Sequence, residues 1–432
     1  MADDHGKELL NPAPSGSPPE ARIKPDGPVA ASSAFSPIPI VVAFSVLAAQ
    51  LYLVVGRNFA NVLETPFLPY CLLGAFSIQF ATRPSLNERL STLALASLSI
   101  TAFVAFSGSF RPTWAGIIAC GAFVGLSSLT VLAIQVLRLR GTSQGEKLHT
   151  LLAGSAFGYS ALIIAGVLNL TTRLHPRTFD LYLYAADLGY GVPICAWMGK
   201  FLARRPWLFQ TCSLVYESLP LAVSLLYAYQ RSGSKKLAVR VLPAFIGGGA
   251  AVYLLYNLLP AAGPYYAFGK AFPNHLPERV ALEMIPIGAG ARNAIPSMHL
   301  ACVLLIFWNS YELPRWVRVG SGMYMILTIL ACIGFGEHYT IDLVAAVPYA
   351  LLLQAVCASP DLRSRSEWKE SLVAGLVLTF AWIVVVRFGT PLFRSVSFAW
   401  AMSIATLAIC GFARRRMLAV HSRQRTAVGV AA

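Results

Sequence analysis

Apolar residues in this chain neither alternate with polar ones nor return every third or fourth position. They come in unbroken blocks, separated by short stretches that hold nearly all the charge. Eleven such blocks, at 38–56, 65–82, 90–110, 114–137, 150–170, 207–229, 241–259, 316–335, 339–357, 371–386 and 396–413, reach or approach the length of roughly 17–25 residues that crosses a bilayer. A twelfth, 296–311, is shorter; it opens on Pro296, suited to a first helical position, and ends on Trp308 and Tyr311, residues that favour the membrane boundary. Lipid offers no hydrogen-bond partners, so a spanning segment is a helix or a strand of a closed barrel, and long unalternating blocks are helical. The pattern predicts an all-α, polytopic membrane protein of about 12 transmembrane helices. Composition agrees, with 56% hydrophobic and 12% charged residues among 432, against roughly 25% charged in an ordinary globular domain.

Residues 1–36, rich in Pro, Ser, Gly and Ala and without apolar periodicity, read as a disordered arm. The first apolar block starts too late and runs too long for a signal peptide. Residues 179–206 are studded with Tyr and Asp and interrupted by Gly189, Gly191 and Pro193, which predicts a segment lying along the interface. The net charge of +15 is spread over short loops and the tail after 413. That spread points to anchoring beside anionic lipid and away from nucleic acid. Its bias predicts a multi-pass cell-membrane protein with both termini cytoplasmic. The eight cysteines form no CxxC pair and fall mostly inside apolar blocks, so no metal site or disulfide framework is expected.

Two polar clusters interrupt the second half of the chain. "GEHYTIDL", Gly336 to Leu343, sits between two spans; His338 and Asp342 are one helical turn apart. A carboxylate so placed can accept from one imidazole nitrogen and leave the other free as nucleophile or base. Taken alone, the pair reads equally well as a satisfied interfacial contact. The other cluster, Gly263 to His299, ends in "ARNAIPSMH". A helix opening at Pro296 presents unpaired N–H groups, which attract phosphate. Ser297 adds a hydroxyl, Arg292 a planar cation and His299 a proton donor. In an alternating topology both clusters face one side, the outer face on the charge bias. Glu217, Glu337 and His275 are weaker candidates, each equally or more readily a satisfied or solvated polar residue.

"IPSMH" followed about forty residues later by "HYTID" resembles the second and third signature motifs of the type-2 phosphatidic acid phosphatase superfamily, P-S-x-H and H-x-x-x-D. The wording is most similar to the inositol phosphorylceramide synthase branch. The resemblance spans roughly residues 207–358 and implies a six-helix catalytic core built on spans six to ten, with the fifth or eleventh completing it. It implies that His338 attacks phosphorus, that Asp342 orients it, and that His299 protonates the leaving alcohol and later deprotonates the acceptor. It also implies a reaction without metal or other cofactor. The family's first motif, K-x6-R-P, is absent; Lys270, Arg279 and Arg292 are the candidates for its cations. Where phosphatases of the family carry arginine six residues before the histidine this chain has Cys332, and the synthase branch too lacks that arginine.

The expected function is therefore transfer of a phosphate-linked headgroup, with inositol phosphate a candidate, from a membrane lipid phosphoester to a lipid alcohol through a phosphohistidine. Hydrolysis of a lipid phosphate or polyprenyl diphosphate, with water as acceptor, is the alternative. A transporter would show two related halves, whereas both polar clusters lie in one. A metal hydrolase would leave Ser297, Pro296 and Arg292 without a task. The expected organisation is the arm 1–36, accessory helices over 37–178, the interfacial segment 179–206, the catalytic core 207–358, C-terminal helices over 359–413 and a basic cytoplasmic tail, 414–432.

Overall fold

The computed structural model describes residues 37–55, 67–107, 114–232, 238–311 and 313–430; the expected arm lies outside them. The apolar blocks fold as α1 (Ile38–Val55), α2 (Leu68–Ala81), α3 (Leu86–Ser107), α4 (Trp114–Arg138) and α5 (Gly141–Leu174). Two short helices follow, α6 (Asp180–Leu188) and α7 (Ile194–Ala203), then α8 (Pro206–Glu217), α9 (Leu219–Ser232) and α10 (Val241–Leu258). The second half adds α11 (Met298–Asn309), α12 (Arg315–Gly334), α13 (Thr340–Val356), α14 (Ser366–Phe388) and α15 (Val396–Val430). Among the described residues, seven helices, α3, α4, α5, α10, α12, α14 and α15, are each long and apolar enough to cross a membrane. α8 and α9 qualify together, and α1, α2, α11 and α13 are apolar but shorter. The chain is an all-α, polytopic membrane protein. α15 continues without interruption from the last apolar block to Val430, so the tail expected from residue 414 extends that helix.

The block 207–229 is not one straight helix. It bends by 52° between α8 and α9, because Pro220 has no N–H to donate and its ring collides with the carbonyl four residues back, that of Tyr216. The Val215 carbonyl beside the break finds two side-chain donors. Tyr324 on α12 donates its hydroxyl to Val215 O at 2.6 Å, and Ser218 donates to the same oxygen at 3.1 Å.

Three apolar cores result among the described residues, the smallest joining α7, α8 and α12 around Leu202, Leu208, Cys212 and Ala331. Of the two larger ones, one joins α1, α2, α4 and α5, and the second runs from α5 through α15 and surrounds the two polar clusters. α2 docks against α9 where Gly74 lies against Ser224, whose Oγ stands 2.8 Å from where a Cβ would be. A two-residue antiparallel pairing, Arg177–Thr178 with Ile285–Pro286, ties the end of α5 to the loop that leads into α11.

Candidate active site

His338 stands just before α13, and its backbone N–H donates to Cys332 O at 3.0 Å. Its Nδ1 lies 2.8 Å from the carbonyl oxygen of Ala294. A carbonyl only accepts, so the proton sits on Nδ1 and Nε2 keeps a free lone pair. The expected acceptor, the Asp342 carboxylate, is 3.7 Å from Nδ1 and instead takes the Tyr339 N–H at 2.8 Å. Asp342 occupies the first turn of α13, where an unpaired backbone donor competes successfully for a carboxylate. His338 and Asp342 are both buried.

His299 falls in the first turn of α11, whose N-cap is Ser297: the serine hydroxyl accepts from Leu300 N at 3.3 Å. Ser297 N donates to Asp342 O at 3.2 Å, a direct backbone tie between the two clusters. The imidazoles of His299 and His338 stand 6.3 Å apart, centre to centre, at 60°. The two clusters therefore meet. Tyr216, at the bend of the broken span, stacks on His299 with centroids 3.8 Å apart and planes 15° apart; Phe67 approaches the same imidazole at 5.6 Å.

The expected phosphate ligands are distributed differently. Arg292 is buried, and its guanidinium donates to His175 O at 2.9 Å, Ala289 O at 3.2 Å, Gly290 O at 2.6 Å and Ile287 O at 2.5 Å. Four of its five N–H donors thus hold the loop in shape. Lys270 and Arg279 are exposed on the stretch between α10 and α11. Ser297 is fully buried, its hydroxyl shared between capping and Cys332 Sγ at 3.9 Å. Glu337, beside His338, has its carboxyl pushed up by burial, partly offset by the pull of His338 and a hydrogen bond with Tyr266. Glu217 accepts from Ser213 Oγ at 3.1 Å, and His275 is exposed.

Two carboxylates that the sequence reading left on the interface close the site from below. Asp180 and Asp187 on α6 are fully buried. Asp180 accepts from Gly263 N at 2.8 Å, Ala262 N at 3.0 Å and the Tyr339 hydroxyl at 3.0 Å. Asp187 accepts from Thr340 N at 2.8 Å. Asp180, Asp187 and Asp342 thus all grip Tyr339 and Thr340, the two residues that follow His338. Burial raises the Asp180 carboxyl and pushes that of Asp187 up to about 6, against the opposing pull of the hydrogen bonds they accept. Their spacing carried a signal: residues seven apart share a helix face, and two acids on one face of an otherwise apolar, tyrosine-rich helix have to find buried donors.

Gly263 makes the approach possible. Its φ is +101°, open to glycine alone, and a Cβ there would stand 2.4 Å from Glu337 O. Gly336, at φ +74°, returns the contact by accepting from Tyr265 N at 2.8 Å.

With histidine, acid and serine assembled in this order, residues 181–356 match the model of the PAP2 superfamily, the type-2 phosphatidic acid phosphatases of the sequence resemblance. The match supports membership of that superfamily. PAP2 proteins are phosphatases and phosphotransferases, so it also supports an enzyme. It begins inside α6, well before the block at 207, and thereby includes Asp187. No curated protein and no solved structure matches the chain.

Proposed function

We propose that the chain is a membrane phosphotransferase that moves a phosphate-linked headgroup from a phospholipid to a lipid alcohol through a phosphohistidine at His338. The observation that carries the reading is the Nδ1–H of His338 held on the Ala294 carbonyl, which leaves Nε2 as the nucleophile. Nε2 attacks phosphorus and the bond to the leaving alcohol breaks. His299, in its protonated form, gives that oxygen its proton and is left neutral. In the second half the acceptor's oxygen attacks phosphorus as the P–Nε2 bond breaks, and His299 takes the acceptor's proton. The Ala294 carbonyl and the Asp342 charge stabilise the imidazolium character of the phosphorylated ring.

Charge favours a diester donor. A phosphate monoester brings about two negative charges, a diester one. The guanidinium of Arg292 is engaged by carbonyls, Lys270 and Arg279 are exposed, and the position before the nucleophile where an arginine is expected holds Cys332. Helix α11 still offers its N-terminus to an anion, a provision better matched to one charge than to two. Inositol phosphate is the headgroup that the motif wording favours.

Incubating purified protein with a phospholipid labelled in its headgroup phosphate, with and without a long-chain alcohol in the micelle, tests the reading. The label should enter an acid-labile, base-stable protein adduct that is absent from His338→Ala, and should leave as a new phosphodiester lipid when alcohol is present. Release of only inorganic phosphate from monoester lipids, indifferent to the alcohol, would establish the phosphatase alternative.

A further inference from the structure

Two irregular pieces of backbone at the edge of the site each deliver an aromatic ring to the same imidazole. The first is the break at 217–218, which leaves Tyr216 at the end of α8, stacked on His299. The second is Phe67, which opens α2 with a positive φ of 72°, uncommon for a bulky residue, and approaches both His299, at 5.6 Å, and Tyr216, at 6.1 Å. Broken helices and strained backbone are costly inside a membrane and are kept where they shape a site. The stack continues outward. Tyr216 meets Phe335 at 5.9 Å and Phe335 meets Phe209 at 4.8 Å. Phe209 is 45% exposed, on a helix whose Trp207 and Leu214 are also exposed.

We propose that Phe67 and Tyr216 form an aromatic wall on His299 that excludes water and admits a long-chain alcohol from the lipid side, making them specificity-determining residues for the acceptor. This rests on the phosphotransferase reading. Both oxygens that His299 serves, that of the departing diacylglycerol and that of the arriving alcohol, belong to lipids, so one apolar approach suits both. In the second step a P–O bond to the acceptor forms as the P–Nε2 bond breaks; the electron pair returns to His338 and the acceptor's proton passes to His299. Water would do the same and release the headgroup phosphate. Only access to His299 distinguishes the two. Phe67 belongs to the N-terminal helices, so that bundle also acquires a task at the site.

The test is the ratio of hydrolysed to transferred label in Phe67→Leu, Tyr216→Leu and Tyr216→Phe, together with the rate at which diethyl pyrocarbonate modifies His299, read by peptide mass spectrometry. Both leucine variants should raise the ratio at least five-fold and speed modification, and Tyr216→Phe, which keeps the ring, should match the wild type. Phe67→Leu, at a half-buried position, carries the test alone if Tyr216→Leu does not fold. A wild type that transfers normally, with leucine variants that partition and react as it does, would overturn the wall. A wild type that transfers to no alcohol would instead overturn the phosphotransferase reading, and the acceptor role of the wall with it.

Discussion

Arg292 illustrates how a residue type narrows function less than its partners do. From sequence it is a cation beside a phosphate motif; in the fold its donors are divided among carbonyls of residues 175, 287, 289 and 290. Substituting Arg292→Lys should therefore lower the melting temperature in detergent by several degrees and leave KM nearly unchanged, because one ammonium cannot replace a fork. A large rise in KM with unchanged melting would return the residue to the substrate. On the proposed mechanism His338→Ala should remove turnover by at least 10³-fold, with folding checked by size-exclusion profile. Asp187 has a pH signature. Its native carboxyl titrates at about 6 against 3.8 in an unfolded chain. The native state thus holds a proton that the unfolded chain releases, and stability falls as pH rises between those values, by about 3 kcal/mol in total. Asp187→Asn should flatten that part of the melting profile; an identical slope in the variant would refute it.

At the level of elements, the spans were legible because block length and apolarity alone decide a helix in lipid. His338, Asp342, His299 and Ser297 were legible because their spacing is set along single helix starts. What escaped depends on contacts distant in sequence: the Ala294 carbonyl takes the hydrogen bond assigned to Asp342, and Asp180 reaches Tyr339 across 159 positions. The bend in 207–229 was within reach, since Pro220 marks it, but the ring it aims at His299 was not. Gly263 joins the two kinds of information. A Gly263→Ala chain must move Glu337 O, 2.4 Å from the added carbon, and adopt an unfavourable φ. Activity should fall by at least two orders of magnitude while helix content by circular dichroism stays within a few per cent. Full activity would show that the loop has slack.

Across the whole molecule the alternation expected from the sequence has a direct consequence for labelling. Asn274 lies on the stretch that leads to the site, and Tyr311 beyond the far end of α11. In a variant without native cysteines, Asn274→Cys should react with an impermeant maleimide from outside intact cells and Tyr311→Cys only after permeabilisation. Reaction of both from one side would break the alternation, and the reverse pattern would invert it.

The acid pair on α6 also bears on how the molecule is made. Asp180 leaves the ribosome long before Tyr339, its hydroxyl partner 159 residues later. At roughly 5–20 residues per second, that interval lasts roughly 10–30 s. Asp180 can meet the Ala262 and Gly263 N–H groups earlier, but Asp187 lacks its Thr340 donor throughout. A nascent chain cannot hold such an acid in hydrocarbon for so long, so α6, only nine residues long, is expected to wait at the water boundary. It would be drawn inward when α13 arrives to receive it, which makes the helix that His338 precedes the last piece of the site to be assembled.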